Sequence, residues 1–214
     1  MTIKILAALG DFYHNESMCR QALDSAVRQL DGHIKVEYIH EKDLIQELQG
    51  NPDAVILFKG NKLNPTDPQT LVWMGDEEAS IISKYVENGG SWFAWHSGLA
   101  SYEVNTYINM LKGYFEYHPE MSQVKYSADS QNDVTDPNLE YEIIDEHYFI
   151  DCDVEGTNIF LRSESKDGKS AAGWAHHYGE GRVLCLTPAH TEEALLHPKT
   201  IQLVSDSIKW CLSE

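Results

Sequence analysis

The chain is short of positive charge. Sixteen Lys and Arg face 34 Asp and Glu across 214 residues, for a formal net charge of -18. Surfaces that bind phosphate backbones draw most of their affinity from Lys and Arg, so no nucleic-acid or anionic-membrane partner is expected. Long apolar runs are missing too, and none approaches the roughly 20 residues of a membrane-spanning helix. The opening MTIKILAALG holds one lysine and a short apolar run, without a basic n-region or a cleavage pattern. It reads as a strand rather than an export signal, and a cytoplasmic protein is expected. Cysteine is sparse: Cys19, Cys152, Cys185 and Cys211 are scattered, with no CxxC pair. That suits reduced thiols, each a small core residue rather than a ligand.

What is present is an ordinary globular composition, 42% hydrophobic and 23% charged, with ten histidines. Its length favours one domain over residues 1–214, with no internal repeat, low-complexity tract or linker. Apolar runs at 2–8, 34–39, 54–58 and 91–95 read as buried strands. Between them, 16–30 carries Cys19, Ala22, Leu23, Ala26, Val27 and Leu30 at helical spacing, with Asn15 as N-cap and Gly32 as stop. Further helices are expected over 41–49, 76–87, from the turn at 96–98 to 111, and over 199–212. Residues 121–187 alternate polar and apolar in short runs, and Gly179-Glu180-Gly181 joins the last two as a hairpin. Strands alternating with helices predict a doubly wound, mostly parallel flavodoxin-like sheet with helices on both faces and an antiparallel hairpin at one edge.

Ligands of such sheets bind beyond the C-terminal strand ends, which directs attention to the loops there. Gly10-Asp11-Phe12-Tyr13-His14 follows the first strand and Trp95-His96-Ser97-Gly98 the fourth. The segment GGSWFAWHSG has the strand-turn-helix form of a nucleophile elbow, with His96 where a Ser or Cys would stand. Imidazole suits acid/base work or metal ligation, and a helix dipole there would keep His96 neutral. The plain alternative is a turn in which Gly98 merely allows close packing. His176-His177 reads as one packed and one surface residue, because successive strand side chains diverge. Arg182 reads as a brace for the hairpin.

Four segments together resemble the ThuA-like (trehalose-utilisation) family, whose fold is that of the class I glutamine amidotransferases. They are the loop ending in His14, the GGSWFAWHSG turn, Asp145-Glu146-His147-Tyr148, and WAHHYGEGRV running from Trp174 into Thr187-Pro188-Ala189-His190. Ala189 departs from the Gly-His usual in the family, and His118-Pro119 is a weaker match to a His-Pro pair. The resemblance implies a role in carbohydrate metabolism, on keto-sugars or trehalose-type disaccharides. Glutaminase activity is excluded, because amidotransfer needs a cysteine at the turn and His96 occupies it.

The expected site takes His96, Glu146 and His190 as catalytic residues, with His14, Trp95 and His118 binding substrate. His14, His96 and His190 are also candidate ligands for a divalent metal such as zinc, with Glu146 as the carboxylate. Glu146 is preferred to His147 because neighbours on a strand face opposite ways, which also turns Asp145 away from the pocket. Trp73, Trp92, Trp95, Tyr102 and Tyr114 could supply a sugar platform, although such spacings suit a core. An isomerase, lyase or hydrolase acting on a small carbohydrate is the first reading. The alternative is a non-catalytic sugar- or metal-binding protein serving a partner oxidoreductase. A third is an interaction domain on an inherited fold. A symmetric homodimer is compatible with a protein of this size.

Overall fold

The computed structural model describes residues 2–213. Its strands are β1 (Ile3–Leu9), β2 (Ile34–Tyr38), β3 (Ala54–Phe58), β4 (Ser91–Trp95), β5 (Gly113–Tyr117) and β6 (Ser122–Ala128). They continue as β7 (Glu140–Asp145), β8 (Phe149–Cys152), β9 (Asn158–Ser165), β10 (Gly168–Tyr178) and β11 (Gly181–Leu186). The α-helices are α1 (Glu16–Val27), α2 (Glu41–Glu47), α3 (Asp76–Glu87), α4 (Asn105–Leu111), α5 (Glu192–Leu195) and α6 (Pro198–Leu212). Among these residues no helix is long and apolar enough to cross a membrane.

One sheet of nine strands runs β2-β1-β3-β4-β11-β10-β9-β6-β7. The first five pair in parallel, and β10, β9, β6 and β7 continue it in antiparallel pairs. The β10–β11 hairpin therefore does not close the sheet: it links the parallel half to three further strands. A separate pair, β5 with β8, packs beside it.

Period-two alternation divides the parallel strands between two cores. Ile5, Ala7, Ile56, Phe58, Phe93 and Leu184 face α1 and α6, against Leu23, Leu203 and Ile208. Leu6, Ala8, Val55, Leu57, Trp92 and Val183 face the other side, against Ile82 and Val86 of α3 and Tyr107 and Met110 of α4. Both faces are apolar and covered, the condition under which parallel strands persist. Asn15 caps α1 by accepting the Ser17 N–H at 2.9 Å, as its sequence position implies.

Two local expectations change. The continuous helix from 96 to 111 is instead a 3-10 turn, His96–Leu99, an irregular link, and then α4. Arg182 reaches further than its hairpin, donating to the Trp210 carbonyl at 2.9 Å and to Ser213, so it ties β11 to the end of α6. Of the histidine pair, His176 is buried with Nε2–H donating to Met110 O at 3.0 Å, while His177 lies outside near the Trp210 ring.

Burial pushes the His176 pKa down to about 4, from an ordinary 6.5. Between those values the unfolded chain binds a proton that the folded one does not, so stability falls as pH falls. Wild type should lose about 2–3 kcal/mol more than His176→Gln on going from pH 7 to pH 4. Urea denaturation across that range measures this, and identical pH slopes for the two proteins would contradict it.

Candidate functional site

His96 begins the turn directly after β4, with φ of 45°. A side chain in this left-handed region costs on the order of 1 kcal/mol or more, so surrounding contacts must hold it. Gly98 supplies one of them: a Cβ there would stand 2.2 Å from the Leu57 carbonyl oxygen, so only glycine lets the turn press onto β3. The His96 ring is fully buried. Its Nδ1 lies 2.6 Å from Thr187 O. A carbonyl only accepts, so the proton sits on Nδ1 and Nε2 presents its lone pair. Burial pushes the His96 pKa down to about 4, leaving the ring neutral at physiological pH. The neutrality expected from the sequence has a different cause: no long helix follows, and desolvation supplies the effect.

His14 closes the loop after β1, and Asp11 organises it. Asp11 Oδ1 accepts the backbone N–H of Tyr13 at 3.0 Å and of His14 at 3.1 Å. The same oxygen stands 2.6 Å from His14 Nδ1, while Oδ2 accepts the Gly60 N–H at 2.9 Å. Burial works against charge on this carboxyl, but the His14 contact and these donors outweigh it and hold the pKa well below the carboxylate range. His14 Nδ1 thus donates outward and Nε2 points into the site.

The third histidine and the carboxylate arrive on a shared anchor. Asp145, fully buried at the end of β7, accepts the His190 N–H at 2.8 Å and the Glu146 N–H at 3.0 Å through Oδ1. Its Oδ2 accepts from Tyr126 O–H at 3.0 Å. Asp145 does not line the cavity, in keeping with the alternation along β7, yet it supports the site from behind through these bonds. Its carboxylate lies beneath the pocket, and burial raises its pKa to about 6.

The four groups converge. His14 Nε2 is 2.9 Å from His190 Nδ1, which is 3.2 Å from Glu146 Oε2. Glu146 Oε2 is 3.6 Å from His96 Nε2. One ligand atom from each of His14, His96, Glu146 and His190 lies within 4.8 Å of every other. Ligands on a tetrahedral ion at 2.0–2.1 Å stand roughly 3.3 Å apart, so this donor set fits a zinc-like cation. Burial opposes the charge on Glu146, yet the contact with His190 outweighs it and holds the pKa below the carboxylate range. The same Glu146 contact raises that of His190.

Above the cluster lies a cavity of about 360 Å³, lined by His14, Glu146 and His190 with Phe12, Tyr13 and Phe115. His118 stands in its wall, Nε2 at 3.6 Å from Glu146 Oε1. Trp95 does not reach it. Its ring is fully buried and Nε1–H donates to Pro188 O, which corrects its assignment to substrate binding. Trp92 is core as well, and the aromatic rings on the cavity are Phe12, Tyr13, Phe115 and Tyr148. His147 points to the opposite side, between Ser165 Oγ at 2.7 Å and Ser163 Oγ at 2.9 Å. None of the four cysteines lines the cavity.

Sequence reasoning passed over Asp11, Asp145, Tyr148 and Ser97. Asp11 could have been read from its position three residues before His14, an Asx turn that feeds back on the histidine. Ser97 lines the cavity with a buried, unpartnered Oγ. No spacing points to it.

The chain belongs to the ThuA family, described as trehalose utilisation, which matches residues 10–211 and points to a carbohydrate-related role. A solved ThuA-like protein from Parabacteroides merdae superposes with a TM-score of 0.75 at 14% identity, covering 100% of this chain and 91% of that one. A cytoplasmic protein of Salmonella typhimurium LT2 gives 0.69 at 14% identity, covering 99% of each chain. A β-galactosidase from Rahnella sp. R3 contains the same fold: TM-score 0.67, 14% identity, 100% of this chain but 32% of that one. No curated protein matches by sequence.

If Asp145 is the anchor of this site, removing it leaves three buried donors without an acceptor. Asp145→Ala should cost about 3 kcal/mol or more in urea denaturation, with Asp145→Asn recovering most of the loss. An alanine variant as stable as wild type would contradict that role.

Proposed function

We propose that the protein is an enzyme acting on a small carbohydrate that carries a carbonyl group, with one divalent cation such as zinc held by His14, His96, Glu146 and His190. The observation that carries this reading is the direction of the lone pairs. Asp11 and the Thr187 carbonyl each take the outer proton of a histidine, at 2.6 Å in both cases. Second partners of this kind orient metal-binding histidines and fix their tautomer. A pocket built only for packing would not need them.

When bound, such a cation polarises an oxygen of the substrate. The protein's own residues do the rest. Glu146 Oε1 faces away from the cluster and stands 3.6 Å from His118 Nε2, so the carboxylate orients that imidazole as the base for a proton on a carbon beside that oxygen. Half-exposed His118 stands where that proton can pass outward. Phe12, Tyr13 and Phe115 offer apolar faces to the C–H side of a sugar ring. The family's description supports a carbohydrate substrate, and the likeness to a cytoplasmic protein of Salmonella typhimurium supports a cytoplasmic setting. Amidotransfer has no nucleophile here, because His96 holds the turn where a cysteine would be required.

Elemental analysis of untagged protein purified without chelator tests the metal. Wild type should carry close to one divalent ion per chain and His96→Ala none, while Asp11→Ala should bind it roughly ten- to hundredfold more weakly. Metal absent from wild type would overturn the metal centre and leave the His/Glu cluster as a metal-free acid/base site. A screen of oxidised disaccharides, following both binding and product, tests the enzyme: binding without turnover would make this a carbohydrate-binding protein instead.

A further inference from the structure

Tyr148 takes no part in the steps above, yet its hydroxyl stands 3.2 Å from His96 Nε2. Thr187 O fixes the His96 proton on Nδ1, so Nε2 is an acceptor and the phenol is the donor. Nε2 has a single lone pair, the one directed at His14, Glu146 and His190. A cation in the cluster and the Tyr148 proton therefore compete for one atom.

The ring cannot withdraw to settle that competition. It is buried, and it stacks on His96 with 4.4 Å between ring centroids. Phe115 packs against it at 4.4 Å and His118 at 5.8 Å. The hydroxyl hydrogen, in contrast, can flip about its C–O bond between the two orientations in the ring plane. Among the described residues the Tyr148 hydroxyl has no hydrogen-bond partner other than His96, and the residue lines the cavity. Once the lone pair is taken, a buried donor is left without an acceptor, and such groups carry a free-energy cost until something accepts from them.

We propose that Tyr148 is a ligand-positioning donor tied to cation occupancy. With the centre empty it caps His96 Nε2; with the centre filled its hydrogen turns into the cavity and donates to an oxygen of the ligand bound there. The chemical class this selects is a ligand with an acceptor oxygen, such as a carbonyl or carboxylate, next to the atom that meets the cation. Coupling of this kind is reciprocal: an oxygen that accepts from Tyr148 strengthens cation binding in turn. The inference rests on the metal reading given above.

Tyr148→Phe tests it, since the phenyl ring keeps the stacking and removes only the hydroxyl. Zinc is titrated by calorimetry into metal-free wild type and variant, and acetohydroxamate, a small carbonyl-bearing chelator, into the zinc-loaded proteins. Their thermal midpoints report folding. One hydrogen bond of ordinary net strength corresponds to about a three- to tenfold change in affinity. The variant should bind zinc tighter by that factor, and the loaded variant should bind acetohydroxamate more weakly by a similar one. A merely structural role would weaken both. Zinc affinity that is unchanged or reduced in a folded Tyr148→Phe overturns the role of Tyr148 alone. A wild type that binds no zinc overturns the metal reading and this inference with it.

Discussion

One buried carboxylate joins the two halves of this protein. In the sheet order, β11 and β7 are separated by three strands, β10, β9 and β6. At about 4.8 Å per strand, a flat sheet would hold them roughly 19 Å apart. Asp145 nevertheless accepts from both the loop after β11 and the residue after β7, at 2.8 Å and 3.0 Å. The strand twist and residues 187–190 close that gap together. His190 comes from the parallel half and Glu146 from the antiparallel extension, so their separation depends on this carboxylate. An ion of either charge would be hard to tolerate so deep without several partners, and Asp145 has three donors.

Much of the parallel half is legible in the sequence because its constraints are local. Apolar runs bounded by glycine give β1, β3 and β4, and the stripe from Cys19 to Ala26 gives α1, with Asn15 as its cap. The site is legible in part. His14, His96 and His190 sit at strand ends, where the topology of an open sheet sends ligands, and Glu146 follows from the alternation that turns His147 away. What escapes is whatever depends on distant packing. Trp95 reads equally as a platform or as core, and only the contact with Pro188 distinguishes the two. Asp145 obeys the alternation rule along its strand, but its bond to the His190 N–H joins residues 45 apart in the chain, which no local spacing shows. The helix expected after His96 fails because the turn spends its residues pressing Gly98 against Leu57, and the chain regains helical geometry only at Asn105.

The same fold recurs within a β-galactosidase about three times as long as this chain, and at 14% identity that likeness carries architecture alone. Function has to be argued from side chains. A Cys elbow works by exposing a nucleophile above the strand ends. Here the equivalent turn buries an imidazole completely and locks its outer nitrogen to a main-chain carbonyl. Such a ring cannot attack a substrate or carry charge easily. It can present one fixed lone pair to whatever occupies the space above it.

That fixed lone pair explains the electrostatic balance around it. Asp11 and Glu146 are both held ionised against the pull of burial, and the neutral His96 offsets neither of them. Within the cluster the Glu146 carboxylate raises the pKa of His190, which favours the protonated imidazole beside it. A divalent cation would offset that charge more completely, because it meets the Glu146 carboxylate and three imidazole lone pairs at one point. On the metal reading proposed above, such an exchange would fall to His190: His14 and His96 have their protons pinned on the outside, while His190 is anchored only through its backbone. Two rigid donors and one adjustable donor would then let the cluster stay hydrogen-bonded without an ion and take one up without rebuilding its walls.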